Sequence, residues 1–430
     1  MKNSAQHWSW TLNPSFWPAS AALATAIVFA LMMVATQSAH AQTFTVLHSF
    51  TGGGDGARPF STPTLDPAGN LYGTTTWGGP GNCSPPYECG TVFKLSRRNS
   101  SWVLQTLYTF NPNTGMDGYA PVGQLARDPS GILYGTTQSG GPHGDGTVFQ
   151  LRPGATRPVA AVAPWTETRI HDFDFSDGEQ PSGDLLLDSA GNLYGTTCYG
   201  GTGEDGTVFT LIPLNGAWTH SILHSFTGGG YDDDGSCPKS GVVLDAAGNV
   251  YGTTYDGGAH GDGAVYQVTP SGSESVLYSF TGGSDGSLPT AGVIFDSFGN
   301  LYGATAQGGS GGSGVVFELS PGDNGWTYSQ IYPLPGGGWG PYERLVLDAS
   351  GNLYGTMFKS GYTGYGVIFK LTPSNGSWNY TPLHIFTGGD DGAYPSGLVL
   401  DPNGNLYGVA GGGGNSACQS GCGVVFEVTP

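Results

Sequence analysis

Three glycine-rich stretches set ionisable residues side by side: His143 with Asp145, Glu204 with Asp205, and His260 with Asp262. A carboxylate beside an imidazole or a second carboxylate can divide acid from base, one group holding a proton while the other accepts one. The simpler account is a solvated loop, because a Gly-Asp-Gly turn needs no chemistry to explain it. Gly308-Gly309-Ser310-Gly311-Gly312 fits the Gly-x-Ser-x-Gly expression of hydrolases. No strand-to-helix elbow surrounds that serine, so the match is read as chance in a glycine-rich loop, and no catalytic residue is assigned.

Six further segments place an aspartate before a glycine, at Asp55, Asp117, Asp177, Asp234, Asp285 and Asp391. Turn formation accounts for them. The alternative is calcium held by carboxylate and carbonyl oxygens, for which Asp232, Asp233 and Asp234 form the richest run, although no segment has the spacing of an EF-hand loop. No other cofactor is expected. A seventh segment, Pro335 to Arg344 (PGGGWGPYER), lacks the Asp-Gly pair and offers Trp339, Tyr342, Glu343 and Arg344 instead. Together with the loop aromatics Trp77, Tyr199, Tyr231, Tyr362 and Tyr394, these residues suit a sugar, which has an apolar face and a rim of hydroxyls. The competing account is that Trp339 fills a gap between structural units.

All of these residues lie in loops, so the elements between the loops must position them. The phrase Asp-x-x-Gly-x-x-Tyr-Gly occurs seven times, with its tyrosine at 72, 134, 194, 251, 302, 354 and 407. Each copy is followed by Gly-x-x-Phe, with Tyr266 in one copy, and the aromatic falls 15 residues after the tyrosine in the five middle copies. A third element ends eight residues after a tryptophan in five copies, as from Trp102 to Phe110. These runs are short, rich in Val, Leu, Ile, Thr and aromatics, and bounded by Gly, Pro, Asn or Asp, which is the signature of strands.

Each copy therefore reads as four antiparallel strands, A to D, with Asp-x-x-Gly-Asn as a tight A-to-B hairpin. Seven such units predict an all-β, seven-bladed β-propeller; a solenoid is the alternative. The two ends complement each other: Phe44 to Phe50 is a D strand with no A, B or C before it, and the sequence stops after a C strand near Val424 to Val428. The first strand is expected to complete the last blade. Within the motif, the hairpin aspartates are read as turn caps and the tyrosines as packing between blades.

Lys2 precedes an apolar run from Ala19 to Ala35, and Ala39-His40-Ala41 fits a signal-peptidase site. Residues 1–41 are thus read as a signal peptide and 42–430 as the mature propeller, the alternative being an uncleaved anchor. No later stretch is apolar enough to span a bilayer. The formal charge of −19 and the scattered Lys and Arg exclude a nucleic-acid partner. In an exported protein the six cysteines point to disulfides. Cys198 and Cys237 fall on the long-loop face of neighbouring blades and are expected to bond. Cys83 with Cys89 and Cys418 with Cys422 are the simplest local pairs, with cross-blade pairing left open.

The recurring string "LHSFTGG.DG..P...L.LD..GNLYGTT..GG...G.VF.L.P" resembles the GloVer tandem repeat of exported bacterial choice-of-anchor proteins, over essentially the whole mature chain. The resemblance implies a secreted or surface-associated protein and no agreed activity. Such proteins often carry a C-terminal anchoring segment, whereas this sequence ends with its last strand. The hairpin also resembles those of NHL and gluconolactonase-like propellers, but none of their catalytic residues can be placed here. The expected function is that of a monomeric binding or scaffold module, secreted, periplasmic or at the cell surface, for an extracellular glycan or an envelope protein. The alternative is a propeller enzyme acting on sugars or lactones.

Overall fold

The computed structural model describes residues 42–79, 89–111, 117–154, 164–228 and 234–429. Every regular element among them is a strand, and the strands form seven antiparallel sheets arranged as the blades of a propeller. Blade 1 runs from inner to outer edge through Thr64–Leu65, Leu71–Thr75, Thr91–Arg98 and Ser101–Thr109. The other blades repeat that order, and in blade 3 the innermost strand is split into Glu179–Pro181 and Leu186–Leu187. Thr43–Ser49 forms the outer strand of blade 7, pairing Thr43 with Thr429, Val46 with Phe426 and Ser49 with Val424. The first strand of the fold thus closes the ring on the last.

The recurring phrase builds one turn and one packing joint per blade. In blade 1 the Asp66 carboxylate accepts the backbone N–H of Ala68 and of Asn70 (both 2.9 Å), the Asn70 amide (2.8 Å) and the Tyr72 hydroxyl (3.2 Å). Burial alone would raise its pKa, but these donors hold it below the usual carboxylate value. The same set recurs at Asp188, Asp245 and Asp348, in each case reaching the blade's tyrosine. The tyrosine rings meet a neighbouring blade: Tyr407 packs against Trp102, Tyr134 against Trp218 and Tyr251 against Trp326. The glycine after the tyrosine is required by contact, since a Cβ on Gly73 would stand 2.7 Å from the Phe93 ring.

The core is a belt between blades. The aromatic that ends one D strand meets the C-strand aromatic of the next blade edge-on: Phe50 with Phe93, Phe110 with Phe149, Phe173 with Phe209, Phe226 with Tyr266, Phe280 with Phe317 and Phe386 with Phe426. Between blades 5 and 6 Leu334 takes the place of the phenylalanine against Phe369. All of these side chains are buried, and each pair adds about 1 kcal/mol to the burial of its area.

Candidate functional site

A proline leads each innermost strand into the ring, at positions 59, 121, 181, 238, 289, 341 and 395. In six blades the residue before it is left-handed: Arg58, Ala120, Gln180, Cys237, Leu288 and Tyr394 all have φ between 54° and 59°. That conformation is costly for a side-chain-bearing residue and is held by a fixed hydrogen bond to the preceding blade. Examples are Gln180 N–H to the Asp145 carbonyl, Cys237 N–H to that of Asp205, and Tyr394 N–H to that of Tyr365. At the junction of blades 5 and 6 the residue is Gly340, and its N–H turns to the Ala306 carbonyl instead.

The second residue after the proline is Ser, Gly or Ala in six blades and Glu343 in blade 6. The third is Thr62, Gln124, Asp184, Gly241, Gly292, Arg344 or Leu398. From blade 6, Arg344 Nη2 donates to Asp184 Oδ2 in blade 3 (2.9 Å) and to Gln124 Oε1 in blade 2 (3.3 Å). These blades are not neighbours, so the contacts cross the central channel. The Gln124 N–H also donates to Asp184 Oδ1 (2.5 Å), and the Gln124 side-chain amide to the Pro63 carbonyl in blade 1 (3.2 Å). Glycine makes room for the crossing side chain: a Cβ on Gly292 would stand 3.3 Å from Arg344 Cγ. Four blades are thus tied together by one bridge.

Above the bridge, Glu343, Tyr342, Lys239 and Asp184 line one narrow cavity. Burial and then the Asp184 charge push the Glu343 carboxyl well above its ordinary value, with Arg344 opposing. Burial lowers the Lys239 ammonium to about 8, with Asp256 opposing. Lys239 Nζ lies 3.2 Å from the centre of the Tyr255 ring. From Tyr342 an arc of rings runs through the wall, with centroid distances of 5.9 Å to Trp339 and 4.7 Å to Phe358. From Phe358 it continues 5.4 Å to Tyr394 and 6.3 Å to Phe60. All five rings are half-buried, each leaving part of its surface to solvent. Lys359 Nζ hangs 5.2 Å from the Tyr394 ring, and the Arg58 guanidinium lies 3.6 Å over Trp77.

The sequence expectations are redistributed by this geometry. Trp339, Tyr342 and Tyr394 belong to one arc, and Trp77 stands near its blade 1 end under Arg58. Glu343 and Arg344 line the cavity shared with Lys239 and Asp184, and Arg344 is engaged by Asp184. Tyr199 is exposed and lies near Tyr255, whose phenol is raised by burial first and then by the Asp256 charge. Tyr362 is fully exposed, and Tyr231 lies outside the described residues. Sequence reading missed Phe60, Phe358, Lys239, Tyr255, Asp184 and Gln124. Aligning the copies on the junction proline would have flagged Phe60, Lys239, Gln124 and Asp184 as departures from Ser, Thr, Gly and Val.

The acidic residues are occupied by turns. Asp234 accepts from the Thr227 N–H and hydroxyl and contacts His224, as Asp55 does with Thr51 and His48; Asp232 and Asp233 lie outside the described residues. Asp145 accepts the Phe175 N–H and Asp205 the Ser236 hydroxyl, while His143 and His260 are exposed. Ser310 is exposed, with no imidazole or carboxylate bonded to it among the described residues.

His171, Asp177 and His220 bring three ligand atoms within 4.8 Å of one another. Their imidazoles are stacked at 4.0 Å and 8°, so their in-plane lone pairs run parallel and do not converge on one ion. The same rung appears elsewhere without imidazole pairs, as His384 on Phe44 and Tyr278 on Tyr328, which marks it as inter-blade packing. Disulfides join Cys198 to Cys237 across the blade 3 to 4 wall and Cys418 to Cys422 within blade 7. Cys89 is also in a disulfide, and Cys83 lies outside the described residues.

The Gloeobacter/Verrucomicrobia repeat matches residues 32–167, 161–296 and 240–430. The chain belongs to that repeat family. Comparison with curated proteins finds no relative. Among solved structures it is similar to the extracellular domain of a putative hybrid two-component system from B. thetaiotaomicron, at 14% identity and TM-score 0.52 over 90% of this chain. The chain covers 41% of that protein. It also matches a putative oxidoreductase (glucose dehydrogenase) from Thermus thermophilus at 15% identity and TM-score 0.44, over 72% of this chain and 96% of the other. A PQQ-bound aldose sugar dehydrogenase from Streptomyces coelicolor matches at 13% identity and TM-score 0.41, over 72% and 93%. At such identities the likeness is one of fold, and function has to be argued from the site.

Proposed function

We propose that this protein is an exported, envelope-associated binding module whose funnel takes a carbohydrate. The observation that carries the reading is the aromatic arc Trp339–Tyr342–Phe358–Tyr394–Phe60, which breaks the sevenfold repeat on the face that carries the long loops. Residues repeated in every blade solve a problem every blade has; a concentration of half-exposed rings in blades 6, 7 and 1 does not. Flat rings beside hydrogen-bonding groups match a pyranose, whose apolar face stacks while its hydroxyls meet polar side chains. The hydrophobic leader, the disulfides and the repeat family support a place outside the cytoplasm, with residues 42–430 as the mature chain.

The test is a screen of the mature chain against glycans and peptidoglycan fragments, repeated with Tyr342→Ala and Phe358→Ala. Loss of binding with an unchanged melting temperature supports the reading. Binding intact in both variants, with lowered stability, reduces the arc to packing and refutes it. A second reading, turnover of a sugar or lactone, is favoured by Glu343, whose raised pKa in the channel would suit a proton donor. Measuring product release in the same screen separates the two.

A further inference from the structure

We propose that the funnel selects carboxylate-bearing saccharides, with Lys239 and Lys359 as the two groups that meet the carboxylate. The inference rests on the carbohydrate reading above and adds the charge of the ligand. The chain is strongly acidic, with 32 Asp and Glu against 13 Lys and Arg, and neutral sugars alone would give no reason for cations at the mouth. Yet two lysines flank the arc. Lys239 lines the same cavity as Tyr342, and Lys359 lies 5.9 Å from the Phe358 ring and 5.2 Å from that of Tyr394. Tyr342 and Phe358 are in contact between them, so a sugar stacked on these two rings would have an ammonium toward either end.

Neither lysine forms an ion pair among the described residues, whereas Arg344 below them is paired with Asp184. Instead each ammonium rests against an aromatic face, with Asp256 near Lys239 but not bonded to it. Lys239 is also half-buried, and burial lowers its pKa to about 8 against the charge of the neighbouring Asp256, with which it forms no ion pair. A carboxylate entering the funnel would supply one. At the equivalent positions the other blades carry no basic residue: Lys239 stands where Val122, Ser182 and Thr290 stand, and Lys359 where Ser139, Tyr199 and Gln307 stand.

The test is calorimetric titration of the mature chain with an oligogalacturonate and with its fully methyl-esterified counterpart, which keeps the rings and removes the charge. The inference expects the acid form to bind about tenfold tighter or more, with a preference that shrinks at high salt and in Lys239→Met and Lys359→Met. Equal affinity for both forms would overturn it and leave the carbohydrate reading standing. A preference unchanged in both variants would overturn the assignment to these lysines. No binding of either form, with neutral glycans bound through Tyr342, would refute the charge selection alone; no glycan binding at all would refute both readings. If a methionine variant unfolds, the salt dependence of the native chain still decides whether charge drives the preference.

Discussion

Replacing Arg344 by methionine should destabilise the whole ring, and the size of the loss can be worked from the bridge. Asp184 is 4% exposed and takes a charge-assisted bond from Arg344 Nη2 at 2.9 Å, keeping among the described residues only the Gln124 N–H once the guanidinium is removed. Breaking a buried pair by removing one partner costs about 3–5 kcal/mol, because the remaining charge is left uncompensated. The Arg344 side chain is 23% exposed, so water can reach part of the gap, and the expected loss is reduced to about 2–3 kcal/mol. In a chain of this size that is a fall in melting temperature of roughly 2–4 °C. The assay is denaturant and thermal unfolding of the mature chain followed by circular dichroism, for Arg344→Met, Asp184→Asn and the double variant. Removing both partners leaves no orphaned charge, so the double variant should recover most of the loss, with a coupling of about 1.5–3 kcal/mol. Additive single effects would refute the argument, since they would mean that the bridge across the channel carries no interaction of its own.

Acid and alkali should each weaken the protein through different rungs between blades. Burial pushes Glu167 and Glu274 from 4.5 up to about 7, so below pH 4.5 their contribution is fully present, and it is lost as pH rises through 7. Full burial would make each shift worth about 3 kcal/mol, and partial exposure reduces this to about 1 kcal/mol. Glu167→Gln and Glu274→Gln should flatten that limb of the stability profile; an unchanged slope would count against it. Burial, followed by the charge of His171, lowers His220 from 6.5 to about 4, so its contribution is present above pH 6.5 and is lost as pH falls toward 4. His220→Phe places the ring found at the Phe44 rung and should raise stability at pH 5 while leaving pH 7 unchanged. Deleting Thr43–Phe50 should strip the outer strand from blade 7 and leave Val424–Thr429 as an open edge, giving aggregation on size-exclusion chromatography; a monodisperse chain with native melting would refute the clasp.

The sequence by itself determined what is local and repeated. An aspartate six residues before a tyrosine caps its own hairpin, short runs of β-branched and aromatic residues between turn residues mark each strand, and a D strand without a blade at one end answers a blade without a D strand at the other. Those relations depend on spacing along the chain, so seven copies displayed them seven times. The site was legible only in part. Trp339 and Tyr342 announced themselves where the repeat breaks and Tyr394 as a loop aromatic, but nothing near Glu343 and Arg344 in sequence shows what they face. Only the closed ring decided that Arg344 reaches Asp184, 160 residues away, and Gln124, 220 residues away. The channel width sets which blades stand opposite, and strand pairing around the ring sets that width. A side chain crossing the axis therefore takes its partner from the tertiary structure alone.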